Sequence, residues 1–366
     1  MFRTVELFSG CGGLALGLCK AGIVPLDMVE IDRSAFKTLM HNKNRGLDLC
    51  KGWPIRNVDV RAASWIHLKG QVDVVAGGPP CQPFSIAGNH LGKNDERDMW
   101  PEAIRAVREM APRAFLFENV RGLLRTAFSD YLRSIKSQLR EPMCGLRYSV
   151  GHIPVNAADY GAAQQRHRVI IYGYRNDVRA SATPPLQTHS LNALLWEQWV
   201  TGEYWRRHGL SQPSESHLPK LLRGRVARLR SEETAPTELP WRTVRDALLG
   251  LEAPGREGNH ELRTGARSYP GHTGSTYDFP AKALKAGAHG VPGGENMLRR
   301  ADGTVRYFTI REAARLQGIP DEIEFPGSWC ENMRQLGNAV PVELAKTFAC
   351  WVKEVCLQSD PTSLAA

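Results

Sequence analysis

Through residue 175 the chain alternates short apolar runs with helical stretches, and this alternation constrains the fold more than any other feature. TVELF (4–8), PLDMVEID (25–32), VDVVAGG (72–78), AFLFEN (114–119) and VIIYGY (169–174) read as buried strands. LALGLCKAG (14–22) reads as a helix closed by Gly22, and SAFKTLMHN (34–42) as one capped by Ser34. Met99, Ile104, Val107 and Met110 mark one face of a further helix. Strands that are apolar throughout are covered on both faces, so the pattern predicts an α/β fold with a doubly wound, mostly parallel sheet.

The texture changes near residue 176. Between 179 and 306 the periodicity weakens, 18 Lys and Arg face 13 acids, and 11 of the 34 glycines fall between 250 and 303. KLLRGRVARLR (220–230) carries five cations and no acid. This stretch is expected to be a second, smaller, loop-rich domain. Regular patterning returns in REAARLQG (311–318) and VELAKTFACWVKEVC (342–356), so 307–366 is expected to complete the domain begun by 1–178.

Composition narrows the class. Hydrophobic residues at 42% and charged residues at 23% fit a soluble globular chain rather than a disordered one. No apolar run reaches the roughly 18 residues of a membrane span, and MFRTVELFSG lacks the long apolar segment of a signal peptide. A cytoplasmic location without membrane attachment is expected. The eight cysteines contain no C-x-x-C pair, so no metal site is expected and free thiols fit a reducing compartment. The net charge of +9 suits a polyanionic partner without naming one.

Two segments carry chemistry. Gly10, Gly12 and Gly13 follow the first strand and open a helix, where backbone N–H groups can meet an anion. Glu30 ends the second strand, the usual place for a carboxylate that grips ribose hydroxyls, and Asp59 lies where a third strand would meet an adenine amino group. The set points to an adenosine-containing ligand and leaves a dinucleotide and S-adenosylmethionine both open; the spacing departs from G-x-G-x-x-G, because the next glycine is Gly17. Cys81 stands in GGPPCQPFS (77–85), beyond a strand end, in a loop that Pro79, Pro80 and Pro83 stiffen. Glu118 ends the apolar run AFLFE, where partial desolvation would let a carboxyl carry a proton. Arg166 and Arg168, in QQRHR (164–168), share one face of an extended segment and suit a base carbonyl and nearby phosphates. A thiol nucleophile with a protonatable carboxyl suits conjugate addition to an electron-poor ring.

FSGCGG (8–13), Glu30, GPPCQPFS (78–85), ENV (118–120), QQRHR (164–168), REAARLQGIPD (311–321) and QLGNAVP (335–341), in this order, resemble the DNA cytosine-5 methyltransferases. The resemblance implies a bilobal enzyme that moves a methyl group from S-adenosylmethionine to carbon 5 of a cytosine flipped out of double-stranded DNA. It assigns Cys81 the attack on carbon 6, Glu118 the proton at ring nitrogen 3, Arg168 the cytosine carbonyl and Arg166 the support of the pocket. Phe8, Ser9, Gly10, Gly12, Gly13, Glu30, Ile31, Asp59, Val60, Pro79, Trp100 and Asn338 would line the cofactor, Trp100 by way of a variable segment. Residues 179–306 would be the target recognition domain, and 86–98 (IAGNHLGKNDERD) would close over the extruded base. Ala163 and Ala283 depart from the Pro and Thr usual in the family. The compact chain looks like a bacterial restriction–modification enzyme, monomeric, associated with the nucleoid through DNA, and paired in function with a restriction endonuclease it need not touch. A tRNA methyltransferase of the same family would need a smaller recognition region, and a nicotinamide-dependent oxidoreductase would leave the PPC loop without a purpose.

Overall fold

The computed structural model describes residues 1–80, 98–178, 183–232, 234–255, 258–270, 272–286 and 296–358. Through residue 175 the elements are β1 (Phe2–Leu7), α1 (Gly13–Lys20), β2 (Ile23–Val29), α2 (Arg33–Asn44), β3 (Ile55–Arg56), β4 (Val74–Gly77), α3 (Trp100–Met110), β5 (Ala114–Val120), α4 (Ser129–Arg140), β6 (Tyr148–Asn156), β7 (Gln164–Gln165) and β8 (His167–Arg175). The short helices α5 (Leu191–Trp199), α6 (Glu203–Arg207), α7 (Lys220–Ser231) and α8 (Val244–Leu248) follow, then α9 (Ile310–Leu316), α10 (Trp329–Asn338) and α11 (Val342–Gln358).

Seven strands form one sheet in the order β3-β2-β1-β4-β5-β8-β6. β1 to β5 pair in parallel, and β8 runs antiparallel between β5 and β6. The chain leaves β1 toward β2 and returns to its other side as β4. The strand ends therefore diverge at the β1–β4 boundary, the place where open α/β sheets bind ligands.

Alternation along each strand feeds two cores. Val74, Ala76 and Leu116 face α1 and α11, where Leu14, Leu18, Phe348 and Val352 are buried. Val75, Phe115 and Phe117 face α3 and α4, where Val107, Met110, Ile135 and Leu139 are buried. Gly17 allows α1 and α11 to meet: a Cβ there would lie 2.4 Å from Ala345 Cβ and 2.8 Å from the Val342 carbonyl oxygen. The glycine that broke the expected spacing is thus a packing residue.

The doubly wound, mostly parallel sheet is as expected, and three details differ from the sequence reading. α4 and β6 were not anticipated, because SDYLRSIKSQLR is largely polar and YSVGHIPVN is half-exposed and holds Gly and Pro. β3 ends at Arg56, so Asp59 does not end a strand; it caps a 3-10 turn by accepting from the Arg61 N–H at 2.9 Å. The weakly patterned middle is built from short helices. Its α5–α7 part buries Leu195, Trp199, Val226 and Leu229 together, while Val244 and Ala247 of α8 join Phe308, Leu316 and Leu336 in a third core. Ala281–Lys282 pairs with β7, which fastens this region to the sheet domain next to Arg166 and Arg168.

Candidate active site

The carboxyl ends of β1, β2, β4 and β5 open into one cleft of about 600 Å³, closed on another side by the end of α10. It brings together the two chemical segments of the sequence. Phe8, Ser9, Gly10, Gly13, Glu30, Ile31, Asp59 and Val60 lie on its wall with Pro79, Glu118, Arg166, Arg168 and Asn338.

The turn after β1 is tight because Phe8, with φ 58°, and Gly10, with φ 55°, both adopt left-handed backbone. An aromatic residue in that region costs about 1–3 kcal/mol and persists where the surroundings enforce it. No atom lies within 4 Å of where a Gly10 Cβ would stand, so its backbone faces open cleft. The Glu30 carboxylate fastens this turn to β2. Its Oε2 accepts from the Gly10 N–H and its Oε1 from the Asp32 N–H, both at 2.7 Å. Burial raises the Glu30 carboxyl above its ordinary range, and these two N–H groups pull it back. Asp32 caps α2 and pairs with Arg334, whose guanidinium reaches it from α10 at 2.9 Å.

Two residues expected at the cofactor stand elsewhere. Gly12 is the left-handed cap of α1, where a Cβ would meet the Trp53 ring at 2.9 Å, and it does not line the cleft. Trp100 is fully buried at the start of α3, edge-on to Phe117 at 5.7 Å, and does not reach the cleft either. Asp59 is on the wall, with both carboxylate oxygens engaged by Arg61, which hold it below the usual carboxylate range. Ile31 is 58% exposed, an apolar face turned outward.

At the other end, Gly78, Pro79 and Pro80 lead along the wall toward Cys81. Cys81 and residues 86–97 of the expected closing loop lie outside the described residues. Asn119, which sequence reasoning passed over, donates from Nδ2 to the Pro79 carbonyl at 3.0 Å and so ties the Pro-rich segment to β5. Glu118 and Arg168 form an ion pair, Oε1 to Nε at 2.6 Å. Arg166 is wholly buried. It donates to the Leu284 carbonyl at 3.0 Å and the Gly337 carbonyl at 2.7 Å, bridging the sheet domain to both later segments. Burial, and after it Arg168, brings the Arg166 guanidinium down to about 9, with Glu118 acting the other way. The arrangement offers a backbone turn for an anion, a carboxylate for paired hydroxyls, and a second carboxylate with a guanidinium beside a stiff loop.

The sequence profile of C-5 cytosine-specific DNA methylases matches residues 2–353. The chain belongs to the C-5 cytosine-specific DNA methylase family. It is 31% identical to the type II methyltransferase M.NgoMIV of Neisseria gonorrhoeae over 94% of this chain and 95% of that one. It is 32% identical to the type II methyltransferase M.Eco47II of Escherichia coli over 94% of this chain and 77% of that one. In fold it is similar to a putative DNA modification methyltransferase encoded within an E. coli prophage, with a TM-score of 0.63, 21% identity and coverage of 97% and 99%. It is also similar to the S. pombe Dnmt2 methyltransferase, with a TM-score of 0.59, 17% identity and coverage of 98% of each chain. The protein is thus a DNA cytosine-5 methyltransferase of the type II restriction–modification kind, with DNA as its substrate. Among the described residues of this methyltransferase, no group of three or more His, Cys, Asp or Glu is placed to hold a metal, and no helix is long and apolar enough to cross a membrane.

The cleft of the methyltransferase also holds residues that local pattern did not mark. Glu6, Arg334 and Gln335 line it beside Asn119. Only the odd placement of a glutamate inside an apolar strand, TVELF, gave a signal for Glu6.

Proposed function

We propose that this methyltransferase methylates carbon 5 of a cytosine flipped out of double-stranded DNA, using S-adenosylmethionine and a transient covalent bond to Cys81. The observation that carries this reading is the single cleft in which Glu30 and the Gly10 turn share a wall with Glu118, Arg168 and Pro80. The volume of about 600 Å³ sits within the ~300–1,000 Å³ typical of small-ligand sites. The residues fit the cofactor: Glu30 has lone pairs left for ribose hydroxyls, Ile31, Asp59 and Val60 offer an apolar and polar edge for adenine, and the backbone of Ser9, Gly10 and Gly13 would meet its carboxylate. Pro79 and Asn338 complete that wall. When bound, S-adenosylmethionine supplies an electrophilic methyl group.

The residues of the chain prepare the base. A cytosine stacked in a duplex hides carbon 6, so the base must leave the stack, at a cost of a few kcal/mol. The Cys81 thiolate bonds to carbon 6 and pushes electron density to carbon 5. Glu118 holds a proton at ring nitrogen 3, which keeps negative charge from building in the ring. Arg168 turns from its ion pair toward the cytosine carbonyl, and Arg166, fixed by two carbonyls, holds the strand that carries it. After methylation, a base takes the carbon-5 proton and the C6–S bond breaks to release the Cys81 thiolate, which restores the ring double bond. Residues 179–306 read the DNA sequence, with α7 against the phosphates, and 307–366 complete the catalytic domain. The chain works as a cytoplasmic monomer, and its product protects host DNA from a restriction endonuclease that it need not contact.

Bisulfite sequencing of plasmid DNA from cells expressing the protein tests the reading. Protected cytosines confined to one short sequence are expected. DNA with 5-fluorocytosine at that site should stay attached to the protein in denaturing gels, because fluorine does not leave as a proton does. Methylated DNA without a trapped adduct would overturn the Cys81 step, and unmethylated DNA would overturn the activity.

A further inference from the structure

Arg121 and His167 sit side by side just outside the Glu118–Arg168 ion pair. Val120 is the register partner of Arg168 across β5 and β8, so the next residues of the two segments, Arg121 and His167, oppose each other where the cleft opens. Asn156 of β6 is the partner of His167 on its other side. Both side chains are exposed, and among the described residues neither takes part in a hydrogen bond or an ion pair. Arg125, four residues on, is exposed as well. The surroundings of His167 are positive. Partial burial, and after it Arg121, hold the imidazole below its ordinary value; Arg168 acts the same way, and Asp159 acts against them. Asp159 is already taken up by the middle region, accepting from Trp241 Nε1 at 2.9 Å and from Gln187 Nε2 at 3.3 Å. The two cations thus stand near the seam between that region and the sheet domain.

We propose that Arg121 and His167 together grip one of the two phosphates that flank the target cytosine, and so hold its nucleotide outside the DNA stack. A base seated between Glu118 and Arg168 brings its own sugar and phosphates to the rim of the cleft, and Arg121 and His167 are the cations at that rim beside the pair. Phosphate contacts of this kind fix register and orientation without reading sequence. Made with the everted nucleotide and not with the stacked one, the contact favours the everted state by the difference. Both are positioning residues, since they meet the backbone and not the reacting ring. Arg121 brings a permanent charge with several donors. The imidazole of His167 is held toward its neutral form by Arg121 and Arg168; a phosphate beside it joins Asp159 in favouring the proton. Phosphate binding therefore takes up a proton, and the grip tightens as pH falls. The inference rests on the flipped-base reading above and adds the residues that hold the backbone of that nucleotide.

A cycle between protein and backbone tests it, with the full chain, saturating S-adenosylhomocysteine and a duplex carrying the site found by bisulfite sequencing. 2-Aminopurine in place of the target cytosine reports unstacking by its fluorescence. Three duplexes are compared: one with every phosphate charged, and two with a neutral methylphosphonate on the 5′ or the 3′ side of the target. Neutralising the gripped phosphate should weaken wild-type binding about tenfold, the range of a hydrogen bond to a charged group. The variant Arg121→Gln with His167→Gln should bind the charged duplex more weakly and lose little further on that methylphosphonate duplex. Losses that simply multiply at both positions would overturn the proposal. Wild-type affinity should also fall from about pH 6 to about pH 8, across the titration of an imidazole, and His167→Gln alone should flatten that fall; an unchanged fall would remove His167 from the grip. If the double variant does not fold, the single variants run through the same cycle decide. A wild type that binds the site without any rise in 2-aminopurine fluorescence would instead overturn the flipped-base reading itself.

Discussion

Glu118 Oε1 and Arg168 Nε lie 2.6 Å apart across the antiparallel pair of β5 and β8, where Val120 is the register partner of Arg168. The acid and the cation proposed to meet the cytosine are thus paired with each other. Neutralising the acid should separate chemistry from binding. Glu118→Gln is expected to lower kcat by about 10²–10⁴, the range of general acid–base catalysis, with S-adenosylhomocysteine affinity unchanged. Single-turnover methylation with titration of the same preparation reads both. Full activity in the variant would remove Glu118 from the proton step.

Asn119 lines the cleft, but its side-chain amide is taken up by the Pro79 carbonyl and the Val120 N–H, so it is proposed as a positioning residue. Asn119→Ala should leave that carbonyl unpaired at a cost of about 1–3 kcal/mol and loosen the loop that carries Cys81. We expect kcat to fall roughly ten- to a hundredfold, as a small misplacement of a reacting group does, with KM for S-adenosylmethionine nearly constant. Adduct formation with 5-fluorocytosine DNA should slow in parallel; a purely structural role would lower protein stability without that slowing.

Gly17 gives a test of packing. Alanine in place of a helical glycine ordinarily gains about 0.5–1 kcal/mol. Here the added methyl would stand 2.4 Å from Ala345 Cβ and 2.7 Å from the Lys346 nitrogen, and overpacking of this kind costs about 1–3 kcal/mol. The steric loss should win, so Gly17→Ala should unfold at lower temperature than the wild type. A raised Tm would mean that α11 gives way easily.

The basic stretch 220–230 is α7, anchored on α5 through Val226 and Leu229. Arg228 and Arg230 are paired with Glu232 and Glu215, whereas Lys220, Arg223 and Arg225 have no carboxylate partner among the described residues. Each phosphate contact contributes about 0.9 to the slope of log affinity against log salt. Replacing these three residues with Gln should reduce that slope, by up to about 3 if all touch phosphate. An unchanged slope would place the DNA on another face.

The central sheet was legible because its signals are local. Apolar runs, a glycine turn and an acid at a strand end are each set by neighbours in sequence, and β1, β2, β4, β5 and β8 fall where those runs predict. What remained hidden depends on residues far apart. Nothing near Arg166 announces that its guanidinium closes on carbonyls at 284 and 337, and nothing near Asp32 announces Arg334. Trp100 was misplaced for a related reason: an aromatic residue beside a loop serves a ligand or a core equally well, and only its contact with Phe117 decides. Asp59 was assigned to a strand end because β3 is only two residues long and its turn carries no glycine or proline.

Asn338, Ala339 and Val340 wall the same cavity as Phe8 and Glu30, although more than 300 residues separate them along the chain. During synthesis the early segments reach solution long before the piece that seals them. The wall of this cavity is therefore completed only once residues 338–340 have been made and have folded back against the early strands, and a chain cut before them lacks that wall. Closure of the cavity thus waits on a late segment of the chain meeting an early one.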